Sequence, residues 1–96
     1  MIKVTKLTEN SISKAFSDAF TLASAERFAP HLLKKVSAGI EITPQIQKLA
    51  AQVVFSDDSN NPTEAFKLAL MYGGVVVEFR DPEETQPKMF GAWIPN

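Results

Sequence analysis

From Ile2 to Lys6 apolar and polar residues alternate (IKVTK), with Ile2 and Val4 on one side, predicting a short strand. The stretch LTENS (7–11) then reads as a turn and helix cap. Ile12, Phe16, Ala19, Phe20 and Ala23 recur at i, i+4, i+7, i+8 and i+11, one wide apolar face of an amphipathic helix running to about residue 28. Pro30 ends or restarts that helix, because the residue before a proline disfavours the α region. Leu32, Leu33 and Val36 predict a short second helix or turn closed by Gly39. The segment IEI (40–42) is compatible with either a very short strand or an extended link. Thr43 followed by Pro44 is a helix start, with Ile46, Leu49, Ala50 and Val53 lining one face to about Val54.

SDDSNN (56–61) reads as a polar loop. Asn61-Pro62-Thr63-Glu64 then offers an N-cap, a proline at the first helical position and a glutamate resembling a capping box. Phe66, Ala69 and Leu70 are expected on the core side of that helix, and Gly73 is expected to stop it. Two apolar runs follow, Val75 to Arg80 and Lys88 to Ile94, joined by an acidic loop in which Asp81-Pro82 fits a type I turn. The order β-α-α-α-α-β-β defines an α+β class. Three or four helices pack on a two- or three-stranded sheet that ends in a C-terminal β-hairpin. The four phenylalanines Phe16, Phe20, Phe66 and Phe79 are expected in the core by their periodicity.

Composition narrows what such a domain can do. Ninety-six residues suit a single domain, 1–96, and a hydrophobic content of 45% with 22% charged residues is that of a folded globule. Ten basic against eleven acidic residues leave a net charge of −1, which gives no electrostatic reason to expect nucleic acid or an anionic membrane as partner. No apolar run approaches the ~18–20 residues that span a bilayer, so no membrane partner is expected. The N-terminus lacks the apolar stretch of a secretory signal, and a cytoplasmic location is the expectation, with the nucleus left open. The absence of cysteine removes disulfides, zinc-thiolate sites and thiol catalysis.

The remaining chemistry is sparse. An EF-hand register starting at Asp57 puts Pro62 where glycine must turn and Leu68 where the bidentate glutamate belongs, so calcium fails on both turn and ligand count. His31 is the only histidine, with no nucleophile elbow or thiol to converge on it. The carboxylate pairs Asp57/Asp58 and Glu83/Glu84 lie next to each other in polar loops, a poor geometry for aiming two groups at one reacting atom. Tyr72, late in its helix, is read as a packed aromatic. Gly39, Gly73, Gly74 and Gly91 belong to no phosphate-cradling motif. No catalytic, cofactor-binding or metal-ligating residue is therefore assigned, and no cofactor is expected.

Element order also admits a winged helix: helices at 11–28, 44–54 and 62–72, the IEI segment, and a hairpin as wing. PTEAFKLALMY offers one lysine to a groove, and the tip DPEET would repel phosphate, so charge argues against nucleic-acid binding by this route.

Three stretches carry a family resemblance. MIKVTKLTENSISKAFSDAF is similar to the first strand and helix of GNAT-type N-acetyltransferases. RFAPHLL resembles the second-helix region of fungal members, and ALMYGGVVVEFRDPEETQPKMFGAW resembles the second and third strands, a hairpin ending in a Gly-apolar-Ala-aromatic run. The resemblance implies the N-terminal half of that fold. The family's acetyl-CoA segment follows the third strand, so no cofactor-binding or catalytic position is carried over. It also implies that Lys88–Ile94 is an unpaired outer strand presenting Met89, Phe90, Trp93 and Ile94, and such an edge recruits another strand or chain. The expectation is a non-enzymatic interaction or regulatory domain, self-associating through those four residues. The alternatives are a divergent or partial acetyl-CoA-dependent N-acyltransferase and a winged-helix nucleic-acid binder.

Overall fold

A computed structural model describes residues 2–6, 13–56, 62–80 and 86–95. The expected turn and cap at 7–11, Ile12, the loop carboxylates Asp57/Asp58 and Glu83/Glu84, the Asn61 cap and the Asp81-Pro82 turn lie outside them. The chain runs β1 (Ile2–Lys6), α1 (Lys14–Phe28), a 3-10 turn (Pro30–Leu32), α2 (Leu33–Ala38), α3 (Pro44–Gln52), β2 (Val54–Phe55), α4 (Pro62–Met71), β3 (Val75–Phe79) and β4 (Lys88–Trp93). The class is α+β with a C-terminal hairpin, as the periodicity predicts. Among the described residues the sheet has four strands rather than two or three, all antiparallel, in the order β1-β3-β4-β2.

Local chemistry accounts for most element ends. Helix α1 begins at Lys14 and is capped by Ser13, not by the LTENS stretch, with the Ser13 Oγ accepting the Phe16 N–H at 3.2 Å. Thr43 caps α3 in the same way, accepting the Ile46 N–H, with Pro44 at the first helical position. Pro30 breaks the α geometry and opens the 3-10 turn. Residues 40–43 form no strand and link α2 to α3. Val53 is extended and α3 stops at Gln52, so Val54, expected at the helix end, instead begins a two-residue strand with Phe55.

That two-residue strand completes the sheet. Val54 lies opposite Trp93 and Phe55 opposite Ala92. Ser56 extends the link with both of its polar ends: its backbone N–H donates to the Gly91 carbonyl at 2.8 Å, and its Oγ accepts the Gly91 N–H at 2.9 Å. Ser56 is buried, so Ser56→Ala leaves the Gly91 amide without a partner in the interior. It should lower stability by about 1–3 kcal/mol, read as a fall in urea midpoint at unchanged slope.

Alternation along the strands sends side chains to two faces. Val75 and Val77 of β3, Phe90 and Ala92 of β4, and Phe55 of β2 face α1 and α3. There they join Ala19, Phe20, Leu22, Ala23, Ile46 and Ala50 in the main core. Phe28 stacks on Phe90 at a ring separation of 3.7 Å and meets Phe55 edge-on at 4.9 Å. The opposite face, carrying Val76 and Gly91, is covered by α4. Burial on both sides explains why β3 reads VVV without alternation, with all three valines at most 2% exposed.

Candidate interaction surface

The four residues expected to form one exposed edge, Met89, Phe90 and Trp93 of β4 with Ile94 just after it, are divided by the pleat. Phe90 is only 3% exposed and belongs to the main core, and Ile94 is half-buried against the same core. Met89 and Trp93 are half-buried on the α4 face. Nor is β4 an edge. It sits between β3 and β2, and the edges are β1 and β2. The edge-strand expectation is therefore corrected. Its pairing partner, β2, is too short to produce a periodic signal and is more than thirty residues away, so only the folded chain brings the two together.

On the α4 face, the helix is seated by its smallest residues. Ala65 and Ala69, one turn apart, are fully buried against the sheet. They come so close because β4 carries glycine beneath them: a Cβ at Gly91 would stand 2.6 Å from the Ala65 carbonyl oxygen and 3.3 Å from the Ala69 nitrogen. The helix ends in a Schellman motif, with the Gly73 N–H donating to Leu70 O (3.4 Å) and the Gly74 N–H to Ala69 O (2.7 Å). Gly73 has φ +66, the left-handed conformation its position demands. Gly74 is needed for a different reason, since a Cβ there would strike the Ala92 carbonyl and the Trp93 Cβ.

Seating on alanine turns the large apolar side chains outward. Phe66 is 38% exposed, Leu70 60%, Met71 61% and Tyr72 51%. Phe66 and Leu70 lie one turn apart on the solvent side of α4, with Lys67 beside them. Met71 at the C-terminal end of the helix and Tyr72 just beyond it are exposed as well. Tyr72 stacks on Trp93 with ring centroids 4.6 Å apart and 24° between planes, joining the helix to the sheet beside Val54 of β2. The expected core roles of Phe66 and Leu70 are thus reversed, and Phe16 is also largely exposed, at 41%. Phe20 and Phe79 are buried as expected. Phe66 and Leu70 have helical spacing, but so do Ala65 and Ala69. The sign of the helix's orientation is set by Gly91, a position in another element.

His31 is exposed, with its ring edge toward Phe79 at 6.1 Å. Among the described residues no three His, Asp or Glu side chains gather as a metal site would require, and no helix is long and apolar enough to cross a membrane. The chain matches no protein-family model, no curated protein and no solved structure.

Proposed function

We propose that the protein is a non-enzymatic interaction domain that associates with a second copy of itself through the outer face of α4 and the Tyr72–Trp93 stack. One observation carries this reading: α4 turns alanines inward and Phe66, Leu70, Met71 and Tyr72 outward, the reverse of a helix with nothing to bind. From their fractional exposures, those four residues offer on the order of 450 Å² of apolar surface. A two-fold pairing would hide about twice that, and with its polar rim would reach the lower end of specific interfaces, about 1,200 Å². A net charge of −1 puts little repulsion between two copies and offers no field to draw in a highly charged partner.

Sedimentation velocity across a concentration series tests the reading. The unmodified chain should dimerise in the micromolar range, while Leu70→Lys combined with Met71→Lys should weaken association at least 100-fold and leave the thermal melt in place. Trp93→Lys should weaken it less, because that ring is only half exposed to the partner. A wild-type chain that stays monomeric at millimolar concentration, or a double variant that dimerises unchanged, would refute it.

A second reading, a divergent or partial acetyl-CoA-dependent N-acyltransferase, draws support from the antiparallel pairing of β1 with β3 beside the hairpin. Calorimetry with acetyl-CoA decides it: a saturable isotherm establishes coenzyme binding, and a flat one removes this alternative.

A further inference from the structure

Across the sheet from α4, a cleft of about 500 Å³ opens between β1, α1 and α2. Leu32, Val36 and Ile40 follow one another at intervals of four residues along one wall, and Ile2 and Thr21 form the other. Val36 stands in α2, whose six residues rise about 9 Å, and Leu32 and Ile40 flank its two ends, a wall of the length of a medium alkyl chain. The volume lies within the range of small-molecule sites, about 300–1,000 Å³.

Its polar groups are few and have one sign. The Thr21 hydroxyl donates its proton to the Ser17 carbonyl at 2.8 Å, leaving only an acceptor oxygen. Among the described residues, Lys35 is the one charged side chain lining the cleft, and no carboxylate among them shares the wall with it. An ammonium brings three donors and a full positive charge, and a flexible stem that can follow the apolar wall to its rim. A slot apolar along its length with a single cation at its border is complementary to a molecule of the same construction.

We propose that this cleft binds a free medium-chain carboxylate, with its alkyl chain along Leu32, Val36 and Ile40 and its head group on Lys35. This site lies on the opposite face of the sheet from the α4 surface, so it stands or falls separately from self-association. Each methylene added to the chain should tighten binding roughly three- to fourfold until the wall is covered. The exposed ion pair should contribute about three- to fivefold.

Amide-resolved NMR titration with sodium decanoate, held below its micellar range, tests the proposal. Saturable shifts should appear at residues 2, 21 and 32–40, and octanoate should bind more weakly by the factor of two lost methylenes. Lys35→Met keeps the stem and removes the charge; it should reduce decanoate affinity three- to fivefold and leave decanol unaffected. Val36→Trp should fill the cleft and abolish both, with circular dichroism showing whether the fold is retained. The proposal is overturned if shifts fail to saturate, if they centre on Leu70 to Tyr72, or if Lys35→Met binds decanoate as the parent does. It is equally overturned if vesicles of anionic phospholipid shift residues 32–40 while free decanoate does not.

Discussion

Phe90→Ala is expected to remove about 3–5 kcal/mol of stability, against a total on the order of 5–14 kcal/mol for a 96-residue domain. The phenyl ring is 3% exposed, lies face to face with Phe28 at 3.7 Å and stands edge-on to Phe55 at a longer range of 6.4 Å. Deleting it removes the buried area and leaves a hole that two neighbouring rings, each tied to a different element, cannot both close. For a domain of this size the melting temperature should fall by roughly 15–30 °C. The same measurement separates the two roles that Phe90 has been given. A residue on an interacting edge would lose association and keep its melt. A core residue loses the melt at every protein concentration, and that is the outcome expected here.

Gly91→Val should displace α4 from the sheet. The first added carbon already falls 2.6 Å from a backbone oxygen of α4, and the two further methyl groups have no room on a side where Ala65 and Ala69 are fully buried. Overpacking of cores commonly costs about 1–3 kcal/mol, and this substitution belongs at or above the upper end because the obstacle is main chain and cannot rotate away. Ala65→Gly should therefore fail to rescue it, whereas it would rescue a clash with the Ala65 methyl group. Hydrogen exchange locates the damage. The amides of α4 and the Gly74 N–H bonded to Ala69 should lose protection first, while those of α1 and α3 on the other face keep theirs. If association runs through α4, the dimer should disappear with that protection. A Gly91→Val chain with full α4 protection would mean that the helix has other room to settle.

These two residues also mark how far the chain can be read without its fold. Alternation in IKVTK, the proline at the head of α3 and the glycine after α4 are signals confined to a few neighbouring residues, and each produced the element expected of it. Val54 and Phe55 offered no such signal. Two residues cannot show a period, and they form a strand because Ala92 and Trp93 supply the hydrogen-bonding edge. The candidate interaction surface was legible only in part. Trp93 could be singled out as a terminal aromatic, but its partner Tyr72 and the outward Leu70 and Met71 were hidden by a helical period that serves either face equally well. A pair of alanines one turn apart, together with a lone glycine inside a strand, is the pattern that would have pointed to the inversion.

By itself, then, the sequence determined the α+β class, the Thr43–Pro44 start of α3, the Gly73 stop of α4, the hairpin, and the absence of thiol chemistry, because each depends on local backbone preference or on composition. The tertiary structure alone decided that β4 is an inner strand, that Phe90 belongs to the core, and that α4 shows its large side chains to solvent. Those outcomes rest on close approach between segments far apart in the chain: the Ser56–Gly91 hydrogen bonds and the fit of Ala65 over Gly91 exist only once the sheet has assembled.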